Sequence, residues 1–260
     1  MPPTVKVAKI SYLSPDARLK GKRIIVTGGT SGIGQAMAKR FVDEGAHVLI
    51  TGRNVEKLNS IAAEIGCEFL ELDLSKVETF GRFVSSAFEK LGGIDCLVNN
   101  AGVSLHEKAL GNVSLDGFNQ QIETNLRGPY FLTQKILPHL ERNASGGSVL
   151  FISSETGDTV DFRPYGLTKA AINSLVQGLA HLYSPYGVAV NAIAPGVTAT
   201  AMTGIKPDNL QYSYNPNGRA YLPEEIAEVA TFLLSDASNT ISGQIITCNN
   251  AKTVNARWKE

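Results

Sequence analysis

An eight-residue run, T-G-G-T-S-G-I-G at 27–34, constrains this chain more than any other feature. It follows the β-branched run Ile24-Ile25-Val26 and precedes a helical pattern with apolar Ala36, Met37, Phe41 and Val42. Strand, glycine turn and helix together make a phosphate cradle. Glycines let the backbone turn sharply against a pyrophosphate, and the free N–H groups at the helix start face its charge. Gly28, Gly32 and Gly34 are spaced G-x-x-x-G-x-G rather than G-x-G-x-x-G, and no Lys-Ser or Lys-Thr pair follows. A triphosphate-binding P-loop is therefore not expected, and a dinucleotide is. The competing interpretation is a plain glycine-rich surface turn.

Downstream, short apolar runs alternate with helical patterns. Strands are expected at His47 to Thr51, Phe69 to Leu72, Ile94 to Val98, Val149 to Ile152, Val188 to Ile193 and Gln244 to Thr247. Between the second and third strands, Asn54 caps a helix that Gly66 stops. Ser75 and Glu78 have the spacing of a capping box for a helix to about Leu91. Longer helices are expected over about 115–140 and 164–183, and Pro223 opens one running to Leu234. Nearly continuous apolar strands suit a sheet covered on both faces. The fold expected is α/β, a doubly wound parallel sheet in three layers, as one domain. Residues 1–19 are assigned to an N-terminal arm, 20–250 to the domain and 251–260 to a tail.

The 260 residues carry no net formal charge, which argues against nucleic-acid and membrane partners. Cys67, Cys96 and Cys248 are far apart, with neither metal-ligand spacing nor an even count, so no metal is expected and a reducing, cytoplasmic setting is.

Tyr165 and Lys169 stand four apart, on one face of a helix. A nearby ammonium favours phenolate and brings a tyrosine hydroxyl into the range of general acid–base work. The pair follows a strand ending in Ser153-Ser154, with the glycine turn far upstream. Within the 115–140 pattern, Pro129 leaves the carbonyl of Asn125 without its usual partner four residues on, free to hold a water.

With these residues in place, the chain resembles the short-chain dehydrogenase/reductase family, in its single-domain, Rossmann-like branch. The resemblance rests on T-G-G-T-S-G-I-G, Asp73-Leu74, N-N-A-G at 99–102, Asn125, I-S-S at 152–154, Y-G-L-T-K at 165–169 and P-G-V-T-A-T at 195–200. It implies a nicotinamide dinucleotide and hydride transfer at a carbonyl or alcohol. It implies Tyr165 as general acid or base, with Lys169 lowering its pKa and binding the nicotinamide ribose. The serine is Ser153 or Ser154, and the glycine expected three residues on, Gly157, selects Ser154. Eleven residues separate Ser154 from Tyr165, fewer than is usual in the family. Asn125 is the fourth catalytic member. The cofactor is implied to contact Gly28, Thr30, Ser31, Gly32, Ile33 and Gly34 in the turn. Beyond the turn it is implied to meet Arg53, Asp73, Leu74, Asn100, Ala101 and Gly102, and after the sixth strand Pro195, Gly196, Val197 and Thr198.

NADP(H) is expected over NAD(H), because Gly52 stands where an NAD site wants a carboxylate and Arg53 follows. A homo-oligomer, a tetramer by the same resemblance, is implied by the two long helices. The stretch 199–221, rich in loop formers yet carrying Met202, Ile205, Leu210, Tyr212 and Tyr214, is expected to be a lid over a neutral, moderately apolar ketone or secondary alcohol. Cys248-Asn249-Asn250 departs from the family's usual glycine pair. Two other readings remain open: a dinucleotide-sensing regulator without catalysis, and a sugar-nucleotide epimerase or dehydratase, whose relatives typically carry T-G-x-x-G-x-x-G and a larger substrate domain.

Overall fold

Alternate residues of the first strand face opposite ways, and each face finds its own core. The computed structural model describes residues 17–254. Its first strand, β1 (Arg23–Thr27), is followed by α1 (Gly32–Asp43), β2 (His47–Gly52), α2 (Val55–Ile65), β3 (Glu68–Glu71), α3 (Phe80–Leu91) and β4 (Cys96–Asn99). Then come α4 (Leu115–Ile122), α5 (Gly128–Arg142), β5 (Gly147–Ile152), α6 (Pro164–Tyr183), β6 (Val188–Pro195), α7 (Pro223–Leu234) and β7 (Ile245–Cys248). Ile25 packs on one face with Phe80, Phe83, Leu132, Ile136, Ile172 and Val176 from α3, α5 and α6. Ile24 and Val26 pack on the other with Met37, Phe41, Leu58, Ile226 and Leu233 from α1, α2 and α7. Burial on both sides is why the strands read as unbroken apolar runs.

The seven strands run parallel in the order β3-β2-β1-β4-β5-β6-β7. Strand order reverses between β1 and β4, where Ile24 to Val26 pair with Cys96 to Val98. Two chain crossovers diverge there and open a crevice at the strands' carboxyl ends.

Local chemistry sets most boundaries as expected. Asn54 Oδ1 accepts from the Lys57 N–H at 2.8 Å, and Gly66 ends α2 in the left-handed region at φ 79°. Two expectations about the helices change. The capping box is not formed: the Ser75 hydroxyl donates to Asp73 Oδ1 instead (2.8 Å), and a short 3-10 turn at Val77–Thr79 precedes α3. An aspartate two residues upstream competes successfully for the serine. The single helix expected over 115–140 is two helices joined by a turn of π-helix at Glu123–Arg127. Pro129 has no N–H to offer the preceding turn, and the wider turn falls where the ladder must change register.

The arm and tail boundaries change too. Of the proposed arm, the part to residue 16 lies outside the described residues. Leu19 is wholly buried in the core, and Arg18 makes two hydrogen bonds to Glu44 through its guanidinium. At the other end, Lys252 and Thr253 bond back into the domain. The rest of the proposed tail, 255–260, lies outside the described residues.

Candidate active site

A cleft of about 1240 Å³ runs along the carboxyl ends of the strands. That is ample for a dinucleotide with a small substrate beside it. Every residue expected to touch the cofactor lines it: the glycine turn, Arg53, Asp73-Leu74, Asn100 to Gly102 and Pro195 to Thr198.

Backbone builds the β1–α1 end. Gly28 and Gly32 adopt φ 66° and 54°, where side chains are strained. A Cβ on Gly34 would run into the Gly28 carbonyl and the Asn100 amide. Asn100 Nδ2 donates to the carbonyls of Thr27 (2.8 Å) and Gly28 (3.2 Å). Thr27 Oγ1 accepts from the N–H groups of Asn100 (3.0 Å) and Ala101 (3.1 Å), so β4's end is tied to the turn. Thr27 is a support that the sequence reading left out of the site. Ser31, at the head of α1, makes no side-chain cap, and the first helical turn holds no acidic residue. Unpaired helix-start donors without a competing carboxylate suit a pyrophosphate. Arg53 is exposed, and among the described residues no hydrogen bond or ion pair engages its guanidinium. Asp73 feels burial, which pushes its carboxyl up. Hydrogen bonds from the Ser75 N–H and hydroxyl, with Lys76 and Arg53 nearby, outweigh that and hold it below its ordinary value.

The candidate reacting end lies where α6 meets β5. Tyr165 and Lys169 stand one turn apart near the start of α6, Lys169 Nζ 5.5 Å from the Tyr165 ring centroid. Ser153 and Ser154 follow β5, and their bonds separate their roles. The Ser153 hydroxyl donates to Asn173 Oδ1 at 2.6 Å, inside the core. Ser154 Oγ accepts from the Thr156 N–H (3.2 Å) and hydroxyl (3.0 Å), and its side chain is close enough to Tyr165 to pull the phenol's pKa down. Both serines line the cleft, and Ser154 is the one whose hydroxyl proton is not spent on Asn173.

Lys169 is buried, and its ammonium donates to the Ile152 carbonyl at 2.7 Å. Desolvation pushes its pKa down to about 8. Burial pushes the Tyr165 phenol up, while the Ser154 hydrogen bond and the Arg163 charge pull the other way. The expected lowering of Tyr165 by Lys169 is thus not what this geometry gives. The ammonium is turned to the Ile152 carbonyl, 5.5 Å from the centroid of the ring. Asn125 does not line the cleft. It sits buried behind it in the π turn, where its amide accepts from the Val103 N–H and donates to the Val103 carbonyl, both at 2.8 Å.

The segment 199–221 is ordered by backbone bonds rather than structureless. Thr198 bridges Tyr221, Gln211 bridges Arg219, and Ala220 N–H donates to the Leu210 carbonyl at 2.8 Å. Met202, Ile205 and Tyr212 face the cleft; Tyr214 is 78% exposed, outside the lining, its ring 5.5 Å from that of Tyr212. Sequence reading missed Glu155, which lines the cleft directly after Ser154 and is held by Lys252 at 2.6 Å. An acidic residue at the end of an apolar strand was the only local signal.

The family model described as enoyl-(acyl carrier protein) reductase matches residues 28–250. The chain is 34% identical to 3-oxoacyl-(acyl-carrier-protein) reductase FabG of Aquifex aeolicus, over 90% of this chain and 98% of that one. It is 35% identical to L-fucose dehydrogenase of Bos taurus, over 90% and 91%. Among solved structures it resembles a short chain dehydrogenase from Burkholderia cenocepacia in complex with NADP, with TM-score 0.82, 30% identity and coverage of 91% and 100%. It also resembles 3-ketoacyl-(acyl-carrier-protein) reductase from Brucella melitensis complexed with NADH, with TM-score 0.85, 30% identity and the same coverage. The chain belongs to the short-chain dehydrogenase/reductase family. It is an NAD(P)-dependent oxidoreductase acting between alcohol and ketone. No helix among the described residues is long and apolar enough to cross a membrane.

Proposed function

We propose that Tyr165 is the general acid–base of this oxidoreductase, Ser154 the holder of the substrate oxygen, Lys169 and Asn125 their supports, and NADP(H) the preferred cofactor. The observation that carries the proposal is the meeting of the Ser154 and Tyr165 side chains at one end of a cleft whose other end is the glycine turn.

The protein's part in the chemistry follows from its bonds. Thr156 occupies the acceptor side of Ser154 Oγ twice, so the Ser154 proton points outward to Tyr165 or to a substrate oxygen. Tyr165, kept neutral by burial, is a proton donor to a carbonyl oxygen in reduction and takes the proton back in oxidation. Lys169, with a pKa of about 8, keeps N–H groups beyond the one spent on Ile152 for a ribose hydroxyl. Asn125 fixes Val103 through two hydrogen bonds, and so the segment after Gly102. When bound, the nicotinamide supplies or accepts the hydride. Residues able to hold the dinucleotide are the α1 start, Asp73, the 100–102 segment and Thr198.

The NADP preference rests on Gly52 and on the unengaged Arg53 guanidinium. Beside the cleft Glu155 pairs with Lys252 and Asp161 with Arg163, and of segment 199–221 only Lys206 brings a charge to the lining, which favours a neutral reacting group. A homotetramer in a reducing cytoplasm completes the proposal. Leu115, Tyr130, Leu167 and Leu182 are 44–74% exposed on α4, α5 and α6, and all three cysteines are free thiols. The test is a cofactor-absorbance assay with 3-oxobutanoyl-coenzyme A in reduction and L-fucose in oxidation, within a wider carbonyl and alcohol panel. Turnover with NADPH or NADP⁺ exceeding that with the NAD pair supports the proposal. No turnover of any compound with either cofactor overturns it.

A further inference from the structure

The C-terminal end of the chain reaches the reacting end by side-chain bonds that the proposed chemistry does not use. The short turn Glu155–Asp158, directly after Ser154, is gripped at both ends. Thr247 of β7 donates from Oγ1 to Asp158 Oδ2 at 3.1 Å. Asn249 Nδ2 donates to Glu155 Oε2 at 3.1 Å, and Lys252 Nζ to Glu155 Oε1 at 2.6 Å. Glu155 and Asn249 are buried, at 8% and 2% exposure, so the bond between them is desolvated; the Lys252 bond is partly buried and the Thr247 bond lies at the surface. Asn249 lies against Gly196, where a Cβ would come within 2.9 Å of the asparagine's own. The same Lys252 ammonium lies 5.9 Å from the ring centroid of Tyr212, a cleft-lining residue of the segment above.

Asn250 and Ala251, between the two anchors, adopt φ 50° and 64°. Neither is glycine, and such conformations persist only where surrounding contacts over-determine them. The Asn249-to-Lys252 turn is therefore held down by what its side chains grip.

We propose that Lys252 is a positioning residue for the substrate end: by bridging the Glu155 carboxylate beside Ser154 to the Tyr212 ring, it sets the seating of segment 205–221 over the cleft and thereby the affinity for substrate. The inference rests on the reading of Ser154 and Tyr165 as the reacting end. Lys252 itself does not line the cleft, so it acts through Glu155 and Tyr212. The cation holds both the carboxylate and the electron-rich face of the ring.

The test uses the full chain saturated with NADPH, and four forms: wild type, Lys252→Met, Lys252→Arg and the double variant Glu155→Gln/Lys252→Met. Amide hydrogen exchange is read at Tyr212 and Ala220, whose N–H groups are bonded to Gly218 and Leu210, and at residues of β1 and α1 as the control. Lys252→Met is expected to speed exchange at Tyr212 and Ala220 on the order of 10-fold, with the control amides and NADPH affinity unchanged. Lys252→Arg is expected to restore protection, because charge and ring contact both return. For whichever of 3-oxobutanoyl-coenzyme A or L-fucose is turned over, KM is expected to rise several-fold in Lys252→Met while kcat changes less. If Lys252→Met does not fold, the double variant, which leaves no unpaired buried carboxylate, is read in the same way. Unchanged exchange at Tyr212 and Ala220 overturns the inference. So does exchange raised equally in β1 and α1, or a kcat loss without a KM change. Absence of turnover in the wild type would instead strike the functional reading, and the exchange measurement still decides the role of Lys252.

Discussion

At the cofactor end, the wall is backbone spelled by neighbours in sequence: Gly28, Gly32 and Gly34 lie within seven residues, and the closest cross-chain tie is an asparagine amide reaching two carbonyls. At the substrate end, the wall is side chain assembled from afar. Glu155 meets Lys252 from 97 residues away, and Thr247 meets Asp158 from 89. A backbone cradle constrains residue type at each position, because a Cβ is either tolerated or not. A side-chain wall constrains only pairs, and either partner can change if the other does. The first construction suits a ligand common to many enzymes, the second a substrate peculiar to one.

The most severe break in this comparison falls on the residue at the boundary. Tyr165→Phe removes the titratable hydroxyl and keeps the ring that packs beside Lys169. Turnover is expected to fall by about 10²–10⁴-fold. NADPH affinity, set mainly at the backbone-built end, is expected to stay within a factor of about three, since the loss removes one hydrogen bond at most. Steady-state kinetics with a fluorescence titration of NADPH checks both; near wild-type turnover would remove Tyr165 from the mechanism.

Lys169 tests the same boundary through pH. Its folded-state pKa of about 8 lies below the ordinary value of 10.5 because burial disfavours the charged form. Between those values the unfolded chain binds the proton and the folded chain does not. Folded stability therefore gains from this residue as pH rises through that window, by roughly 3 kcal/mol at most. Two thiols act oppositely, since burial pushes Cys67 up to about 11 and Cys96 up to about 12. Comparing urea unfolding of wild type and Lys169→Met at pH 7.5 and 10 cancels them. The gap should shift toward wild type at the higher pH. A gap that does not move with pH would mean Lys169 is solvated.

How much was legible in sequence follows the same division. The glycine turn, the strand-end motifs and the Tyr165-to-Lys169 spacing are local, and these residues line one cleft. Ser153 and Ser154 are adjacent and chemically identical; the family spacing to Gly157 selected Ser154, and Asn173, twenty residues beyond Ser153, supplies the physical difference by taking the Ser153 proton in the core. Tyr212 and Tyr214 read alike as cover, yet the chain turns between them, the Asn215 N–H donating to the Tyr212 carbonyl at 3.2 Å, so that one faces the cleft and the other solvent. Glu155 carried no meaning without Lys252. The arm was misjudged at Leu19 because one apolar residue among charged ones gives no period to read.

Gly34→Ala tests the backbone end directly. The added methyl meets the Gly28 carbonyl and the Asn100 amide, both fixed by hydrogen bonds rather than at the ends of flexible chains. Overpacking of this sort costs about 1–3 kcal/mol. The thermal midpoint should fall, and affinity for NADPH and NADH should fall together, because the turn is common to both. An unchanged midpoint with unchanged affinities would mean the turn has room that the structure does not show.

The smallest expected effect separates the two cofactors. Arg53 is exposed and unengaged, so its removal costs the protein no internal contact. Gly52 before it leaves no carboxylate to oppose a 2′-phosphate, although a Cβ there would meet Thr30 Cγ2 at an ordinary 3.4 Å. What glycine contributes at 52 is thus the absence of charge rather than of bulk. Asp73 feels the Arg53 charge only weakly and is satisfied by Ser75, so the guanidinium is not committed to it. An exposed charge-assisted bond to phosphate contributes about 1–2 kcal/mol. Arg53→Ala is therefore expected to weaken NADPH binding about 10-fold and leave NADH within about twofold. Raising salt should weaken NADPH binding in the wild type more steeply than in the variant, since the lost interaction is a screened one. Equal losses for both cofactors would show that Arg53 shapes the loop rather than reading the phosphate. No loss for either would return the discrimination to the backbone, and with it the claim that this end of the cleft uses almost no side chains.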